Sequence, residues 1–318
     1  GTKLKKLGDL LFDIGLAQEN MGDINVQSIA GALSTGTHGT GSKLGTLSTQ
    51  IVEITFINGR GQLQTVNEQS DKTLFDAIRV SLGAIGIFTR VKIRLDKCYR
   101  LAEVTQKESL NNCLNQLEVS ISENRNFEFF WFPHTDTVQT KFLNKTEEPF
   151  RRPGLLKKAA DLLVENWLFH ALSSMARVLP GFSKRVAKIS AWGISNGNFV
   201  DWSHNIYATS RSVKFNEMEY NVPIEYFKTA LLELKELIEK EEIDVHFPIE
   251  CRFVKKDDIM ISPAYNRTAA YIAVHQFKGM PYEAYFKKSE AIFKKYNGRP
   301  HWGKINYLSE SDFSKLYL

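Results

Sequence analysis

Glu250 and Arg252 stand two positions apart in the run PIECRFV. A strand's period of two places both side chains on one face, with Cα atoms roughly 6.5–7 Å apart. Ile249, Cys251 and Phe253 then fill the other face. An acid beside a guanidinium leaves two readings open. One is a structural ion pair. In the other, Glu250 accepts hydrogen bonds from a substrate hydroxyl, and Arg252, which cannot release its proton, stabilises a developing oxyanion. His275 follows in YIAVHQF, on the face expected to carry Tyr271, Ala273 and Phe277, where a half-buried histidine satisfied by its neighbours competes with a site role. In RPHWGK, Lys304 comes directly after a turn glycine, and Trp302 offers a ring for stacking.

The stretch STGTHGTG, residues 34–41, packs hydroxyls, glycines and one histidine together with no large apolar residue. Its glycines permit the positive φ angles with which backbone N–H groups curve around a phosphate. Two familiar phosphate motifs fail. Ser42 and Lys43 reverse the order that a P-loop requires, and Leu44 occupies the place of the third glycine in the dinucleotide fingerprint. An ordinary polar loop is the alternative. Further on, Gly83 and Gly86 in SLGAIGIFTRVKIRL stand at the entrance of a strand, where glycine admits another backbone or a flat ligand.

These residues must be positioned by a chain of 318 residues that is 43% hydrophobic, enough for one large domain or two ordinary ones. Its formal charge of +5 is mild and its basic pairs are scattered, which argues against a nucleic-acid surface. Cys98, Cys113 and Cys251 form no C-x-x-C, so neither a disulfide framework nor a zinc site is indicated, and a reducing compartment such as the cytoplasm is expected. No histidine cluster has metal spacing, and no Ser/His/Asp order can be defended.

Residues 2–18, TKLKKLGDLLFDIGLAQ, suggest an amphipathic helix, not a signal peptide. IVEITFINGRGQLQTV predicts a hairpin around Asn58-Gly59, a short helix spans roughly 73–80, and a strand ends near Leu95. Strands are expected at FEFFWFP, KFNEMEYNV, HFPIECRFV and TAAYIAVHQF, with helices opening at Pro223 and Pro281. Residues 153–180 form a helical stretch with a wide apolar face flanked by basic residues, either core or a membrane-surface contact. The sum is an α+β arrangement with helices on one face of a sheet.

In order along the chain, GDINVQSIAGALSTGTHGTG, GAIGIFTRVKIRL, NEMEYNVP, PIECRF, YIAVHQF and RPHWGK resemble the aldonolactone oxidoreductases, the gulonolactone and arabinonolactone oxidase branch of the vanillyl-alcohol-oxidase-type flavoproteins. The resemblance implies a partial FAD-binding (PCMH/VAO-type) α+β subdomain over 1–97, then an α+β substrate-binding cap domain over 98–318. Ser34, Thr35, Gly36, Thr37, His38 and Gly39 would hold FAD, with Gly83, Ile85, Gly86 and Ile87 on its adenine side. Glu250, Arg252, His275 and Lys304 would line the substrate face. The implied reaction passes hydride from a CH–OH group of a sugar-derived lactone or polyol to flavin N5, with oxygen or another carrier as final acceptor. The family's leading flavin subdomain and its terminal segment have no counterpart here, so a chain trimmed at both ends is expected. A non-catalytic nucleotide-binding or interaction module is the alternative if the chain is naturally this short, and a nucleoside-triphosphate hydrolase ranks third.

Overall fold

The computed structural model describes residues 1–152, 154, 169–179, 181–208 and 213–317. The first helix, Leu4–Asp13, buries Leu4, Gly8 and Leu11, the i, i+4, i+7 stripe of an amphipathic helix. Strand β1 (Leu16–Ala17) follows, then helix Ile29–Ser34, whose N-cap Ser28 accepts from the Gly31 amide. Strands β2 (Ile51–Asn58), β3 (Leu63–Asn67) and β4 (Gly86–Ile93) form a small sheet ordered β3-β2-β4. Its hairpin turn is longer than expected. Asn58 Oδ1 accepts from the amides of both Arg60 and Gln62, and Gly61, not Gly59, takes the positive φ of +75°. Ile54, Phe56 and Val66 bury the sheet's inner face against Phe75 and Ile78 of helix Lys72–Ile78 and against Leu33 and Leu47. Strand β5 (Asp96–Lys97) pairs back onto β1 and closes this unit.

The rest builds one antiparallel sheet from β6 (Arg100–Ser109), β7 (Asn126–Trp131), β8 (Thr137–Thr146), β9 (Gly197–Trp202), β10 (Phe215–Pro223), β11 (Ile249–Val254), β12 (Ala269–Phe277) and β13 (Arg299–Pro300). Its order is β13-β10-β12-β11-β7-β8-β6-β9. Alternation decides its two faces. Phe127, Phe129, Met218, Tyr220, Cys251, Phe253, Ile272 and Val274 point to one side, where helices Leu110–Asn115, Leu117–Glu123, Phe227–Lys240 and Glu283–Lys295 cover them. Each large side chain so buried is worth roughly 1.5–3 kcal/mol relative to exposure. These four helices lie on one face, as the sequence pattern implied, whereas helices Phe169–Val178 and Ser183–Gly193 pack at the end of the other face, against Phe215 and Phe277. The opposite face carries the polar Glu128, Glu217, Glu219, Glu250, Arg252 and His275 together with the aromatic Phe215, Tyr271 and Phe277.

Residues 40 and 41 tie the loop after helix Ile29–Ser34 to strands β7 and β11 of the large sheet. Thr40 Oγ1 donates to the Phe127 carbonyl and accepts from the Phe253 amide at 3.2 Å, and the Gly41 amide donates to the Phe253 carbonyl at 2.6 Å. A second tie is Arg79, 2.7 Å from Asp76 and 2.8 Å from Asp258. Of the helical stretch expected over 153–180, residues 153, 155–168 and 180 lie outside the described residues, and Phe169–Val178 is a helix. Among the described residues no helix is long and apolar enough to cross a membrane.

Candidate active site

The polar face of the large sheet is assembled by strand register. Arg252 lies opposite Glu128 on β7 and Tyr271 on β12, and Glu217 of β10 lies opposite His275. Glu250 and Arg252 do share a face, with Ile249, Cys251 and Phe253 in the core behind them. The guanidinium is met by three carboxylates: Nε donates to Glu128 Oε2 at 2.9 Å, while Nη2 reaches Asp23 Oδ1 at 2.9 Å and also Glu250. Glu128 is shared with Lys141, 3.4 Å away, which also meets Glu103 at 3.4 Å. Burial pushes the Glu128 acid up, but Arg252 and Lys141 outweigh it and hold the carboxyl below its usual range.

Beside this cluster Lys304 Nζ bridges two acids, 2.5 Å from Glu217 Oε1 and 2.7 Å from Glu219 Oε2. Each acid takes one histidine: Glu217 meets His275 Nε2 at 3.2 Å, and Glu219 meets His38 Nε2 at 3.4 Å. Burial raises the Glu217 acid, yet the Lys304 ammonium and the His275 contact bring it down to about 2. Glu219 is held well below the carboxylate range against its burial by Lys304 and His38. His301 is different, because burial, with Lys304 nearby, drops its imidazole to about 3. The expected site residues therefore converge. Ligand atoms of Glu217, Glu250 and His275 lie within 4.8 Å of one another, which joins the Arg252 cluster to the Lys304 cluster. His38, Glu219 and His301 form a similar triplet, a clustering that sequence spacing did not reveal. The Lys304 ammonium already fills the place between Glu217 and Glu219 that a cation would take.

The segments expected to hold a cofactor meet at one edge of this face. The Leu82 amide donates to the Ser34 carbonyl at 3.1 Å, Gly36 has φ +67° with Val80 beside it, and Thr35 Oγ1 lies 3.6 Å from where a Cβ on Gly303 would sit. Residues 34–36, 80–83 and 303–304 thus form one ledge. The Ser81 hydroxyl there is buried without a hydrogen-bond partner among the described residues. Above Gly83, whose φ is +80°, no atom lies within 4 Å of a Cβ position, and Ile87 is 72% exposed. An unpaired hydroxyl, an open glycine and an exposed apolar side chain suit a large ligand that is partly polar and partly flat. Other members of the same segments turn inward. Ile85 packs on the small-sheet core, and Thr37, its amide on the Ala32 carbonyl, is buried. The His38 ring stacks on Tyr271 with centroids 3.7 Å apart. A Cβ on Gly39 would run into the Met21 carbonyl, and one on Gly86 would fall 2.5 Å from the Ile57 carbonyl, so these glycines serve backbone packing.

Trp302 is not available to stack on a ligand as its place in RPHWGK suggested. It lies against Phe313 at 4.9 Å and Tyr317 at 5.7 Å and donates to the Ile261 carbonyl. Sequence reasoning also passed over Glu217, Glu219, Glu128 and Asp23. The alternating acids of FNEMEYNV were the available signal for the first two.

With this geometry in hand, comparison with known proteins is specific. Residues 91–318 match the sequence profile of the D-arabinono-1,4-lactone oxidase family. An L-gulono-1,4-lactone dehydrogenase of Mycobacterium tuberculosis is 36% identical over 318 residues, covering 100% of this chain and 73% of that protein. The L-gulonolactone oxidase of Bos taurus is 31% identical over 324 residues with the same coverage, so the chain spans about three quarters of these relatives' length. Among solved structures, cholesterol oxidase from B. sterolicum superposes with a TM-score of 0.67 at 16% identity, covering 96% of this chain and 69% of the other. That likeness fixes the fold as the vanillyl-alcohol-oxidase type.

Proposed function

The chain belongs to the D-arabinono-1,4-lactone oxidase family, and from that premise we propose that it is an FAD-dependent oxidoreductase acting on a CH–OH group of a sugar-derived lactone, with a polyol as the neighbouring substrate class. One observation carries this reading at the level of residues: Glu250, Arg252, His275 and Lys304 meet on one sheet face beside the ledge of Ser34–Gly36 and Gly83. FAD, when bound, supplies the two-electron acceptor. The unpaired Ser81 hydroxyl and the open space over Gly83 fit its adenine side, and Ser34, Thr35 and Gly36 would carry it toward Lys304.

Within this reading Glu250 accepts the substrate's hydroxyl proton in a hydrogen bond, and Arg252 presents fixed positive charge to the oxygen. Both are nearly buried, so their field acts in a water-poor setting where it is worth more than in bulk solvent. Lys304 places an ammonium where negative charge develops during oxidation, and His275 holds the hydroxyl side of the site through Glu217. Residues 1–97 would form the second part of the FAD-binding domain and 98–318 the cap. Either oxygen or another carrier would serve as final acceptor. A peripheral membrane contact in an otherwise cytoplasmic setting is supported by Met175, Val178 and Leu179, which are exposed beside Arg177 at the end of the described part of 153–180.

The test is anaerobic mixing of flavin-loaded protein with L-gulono-1,4-lactone, D-arabinono-1,4-lactone and a polyol, following flavin bleaching. Bleaching by a lactone, slowed on the order of 10²- to 10³-fold in Lys304→Met at equal flavin content, is the expected result. A protein that takes up no FAD would favour the non-catalytic module instead.

A further inference from the structure

We propose that Glu217 and Glu219 are positioning residues that jointly hold Lys304 and keep both ring nitrogens of His275 and of His38 protonated, a role that rests on reading the Lys304 face as the substrate face. The argument is a count of donors and acceptors. His275 Nδ1 lies 3.0 Å from the Pro248 carbonyl, which can only accept, so Nδ1 must carry its proton. Its Nε2 lies 3.2 Å from Glu217 Oε1, and that same oxygen receives the Lys304 ammonium at 2.5 Å. An oxygen already accepting from an ammonium is an ionised carboxylate, which again can only accept. The proton of that contact therefore sits on the ring.

His38 repeats the pattern from another segment. Nδ1 lies 2.8 Å from the Gly39 carbonyl, and Nε2 lies 3.4 Å from Glu219 Oε2, which receives Lys304 at 2.7 Å. His301 supplies the contrast. Its Nδ1 accepts from the Gly303 amide at 3.0 Å, the arrangement of a neutral ring. The surroundings bear on the balance: His275 faces Phe215, Phe247 and the Glu250 carboxylate, and His38 faces Tyr271 and His301. With both rings doubly protonated, Lys304 and two imidazolium groups exceed two carboxylates by one positive charge. With both rings neutral, the same group is negative by one. Only the first state complements an oxyanion or an electron-rich ring.

The experiment is nitrogen-15 NMR of the histidine-labelled, flavin-loaded protein at pH 7.5, where a free imidazole is mostly neutral. The chain has seven histidines, and His275→Gln and His38→Gln assign the two of interest. Protonated-type shifts at both nitrogens are expected for His275 and His38, and not for His301. In Glu217→Gln the new amide can donate to Nε2, so His275 alone should lose its Nε2 proton signal; Glu219→Gln should do the same to His38 alone. An unprotonated Nε2 on His275 in the parent protein overturns the proposal, and that spectrum decides even if the variants fail to fold. A merely structural role for Glu217 would leave the Nε2 signal in place. Protonated rings in a protein whose flavin no lactone reduces would support the proton assignment and sink the oxidoreductase reading, so the two failures are distinguishable.

Discussion

Arg252 stands directly opposite Glu128 across the β11–β7 ladder and donates its Nε–H to Oε2 at 2.9 Å. Because Asp23 and Glu250 share the other end of the guanidinium, the ion pair and the substrate contact considered for Arg252 are not exclusive: one side chain anchors the sheet face and charges it. Arg252→Ala should leave three nearly buried carboxylates without their counter-charge. Removing one partner from such a group costs about 3–5 kcal/mol, so thermal melting should fall by on the order of 10 °C. Arg252→Lys should lose less, since it keeps the charge without the fork. A melt of Arg252→Ala within two or three degrees of the parent's, on this scale, would show that the cluster contributes little to folding.

Glu217 and Lys304 should shape the pH dependence of stability from opposite sides. Glu217, held down at about 2, stabilises the fold fully above the unfolded acid's value near ~4.3 and loses that contribution as pH falls through the folded value. Lys304 is raised, its two carboxylates outweighing the burial that opposes them. Its contribution is full below ~10.4 and fades as pH climbs past it. Melting temperatures across the pH range should show a plateau between, and Glu217→Gln should flatten the acid limb from about pH 5 to 2. Superimposable acid limbs for parent and variant would count against the assigned pairing.

The two halves of the glycine-bearing segments should respond differently to alanine. At Gly83 the added methyl meets nothing, and the cost is the positive φ alone, roughly 1–2 kcal/mol. At Gly39 it meets the Met21 main chain, which cannot move aside without shifting the loop. Denaturant titration should therefore find Gly39→Ala much less stable than Gly83→Ala. The latter should instead weaken FAD uptake, and equal destabilisation of both would contradict this division.

Asp257 offers a test with the reverse sign. Burial pushes its carboxyl up to about 6, against hydrogen bonds from Ser262 and the Ile259 amide and the nearby Arg79. The folded state thus binds this proton more tightly than the unfolded chain, so stability is lost as pH rises from ~4 through that value. Asp257→Asn should be the more stable protein at pH 7.5 and should have no advantage at pH 4. Paired denaturation midpoints at those two pH values settle the matter.

Periodicity made the central strands legible. PIECRFV and KFNEMEYNV alternate large apolar with polar residues, and β11 and β10 bury them as alternation requires. Strands β6, β8 and β9 escaped because RLAEVTQKES, TVQTKFLNKT and GNFVDW have weaker apolar alternation on half-exposed strands. Residue type and family likeness singled out Glu250, Arg252, His275 and Lys304 as candidates, but not the acids they pair with. Arg252 meets Glu128 across 124 positions, and Lys304 meets Glu217 across 87, and local pattern carries no information about which distant acid closes a pair. Trp302 misled for a related reason, since the rings it stacks on arrive with helix Glu310–Tyr317.

Strand β10 places Glu217, Glu219 and Asn221 on the site face and Met218, Tyr220 and Val222 in the core, so parity along nine residues serves as an address system for both. Deleting or inserting one residue ahead of Glu217 would exchange the two sets if pairing with β12 were kept, sending two carboxylates under the helices and a tyrosine toward Lys304. Such a change would erase chemistry and packing together, however mild the altered residue. Substitutions can tune this strand, whereas length changes within it leave no intermediate form for selection to act on.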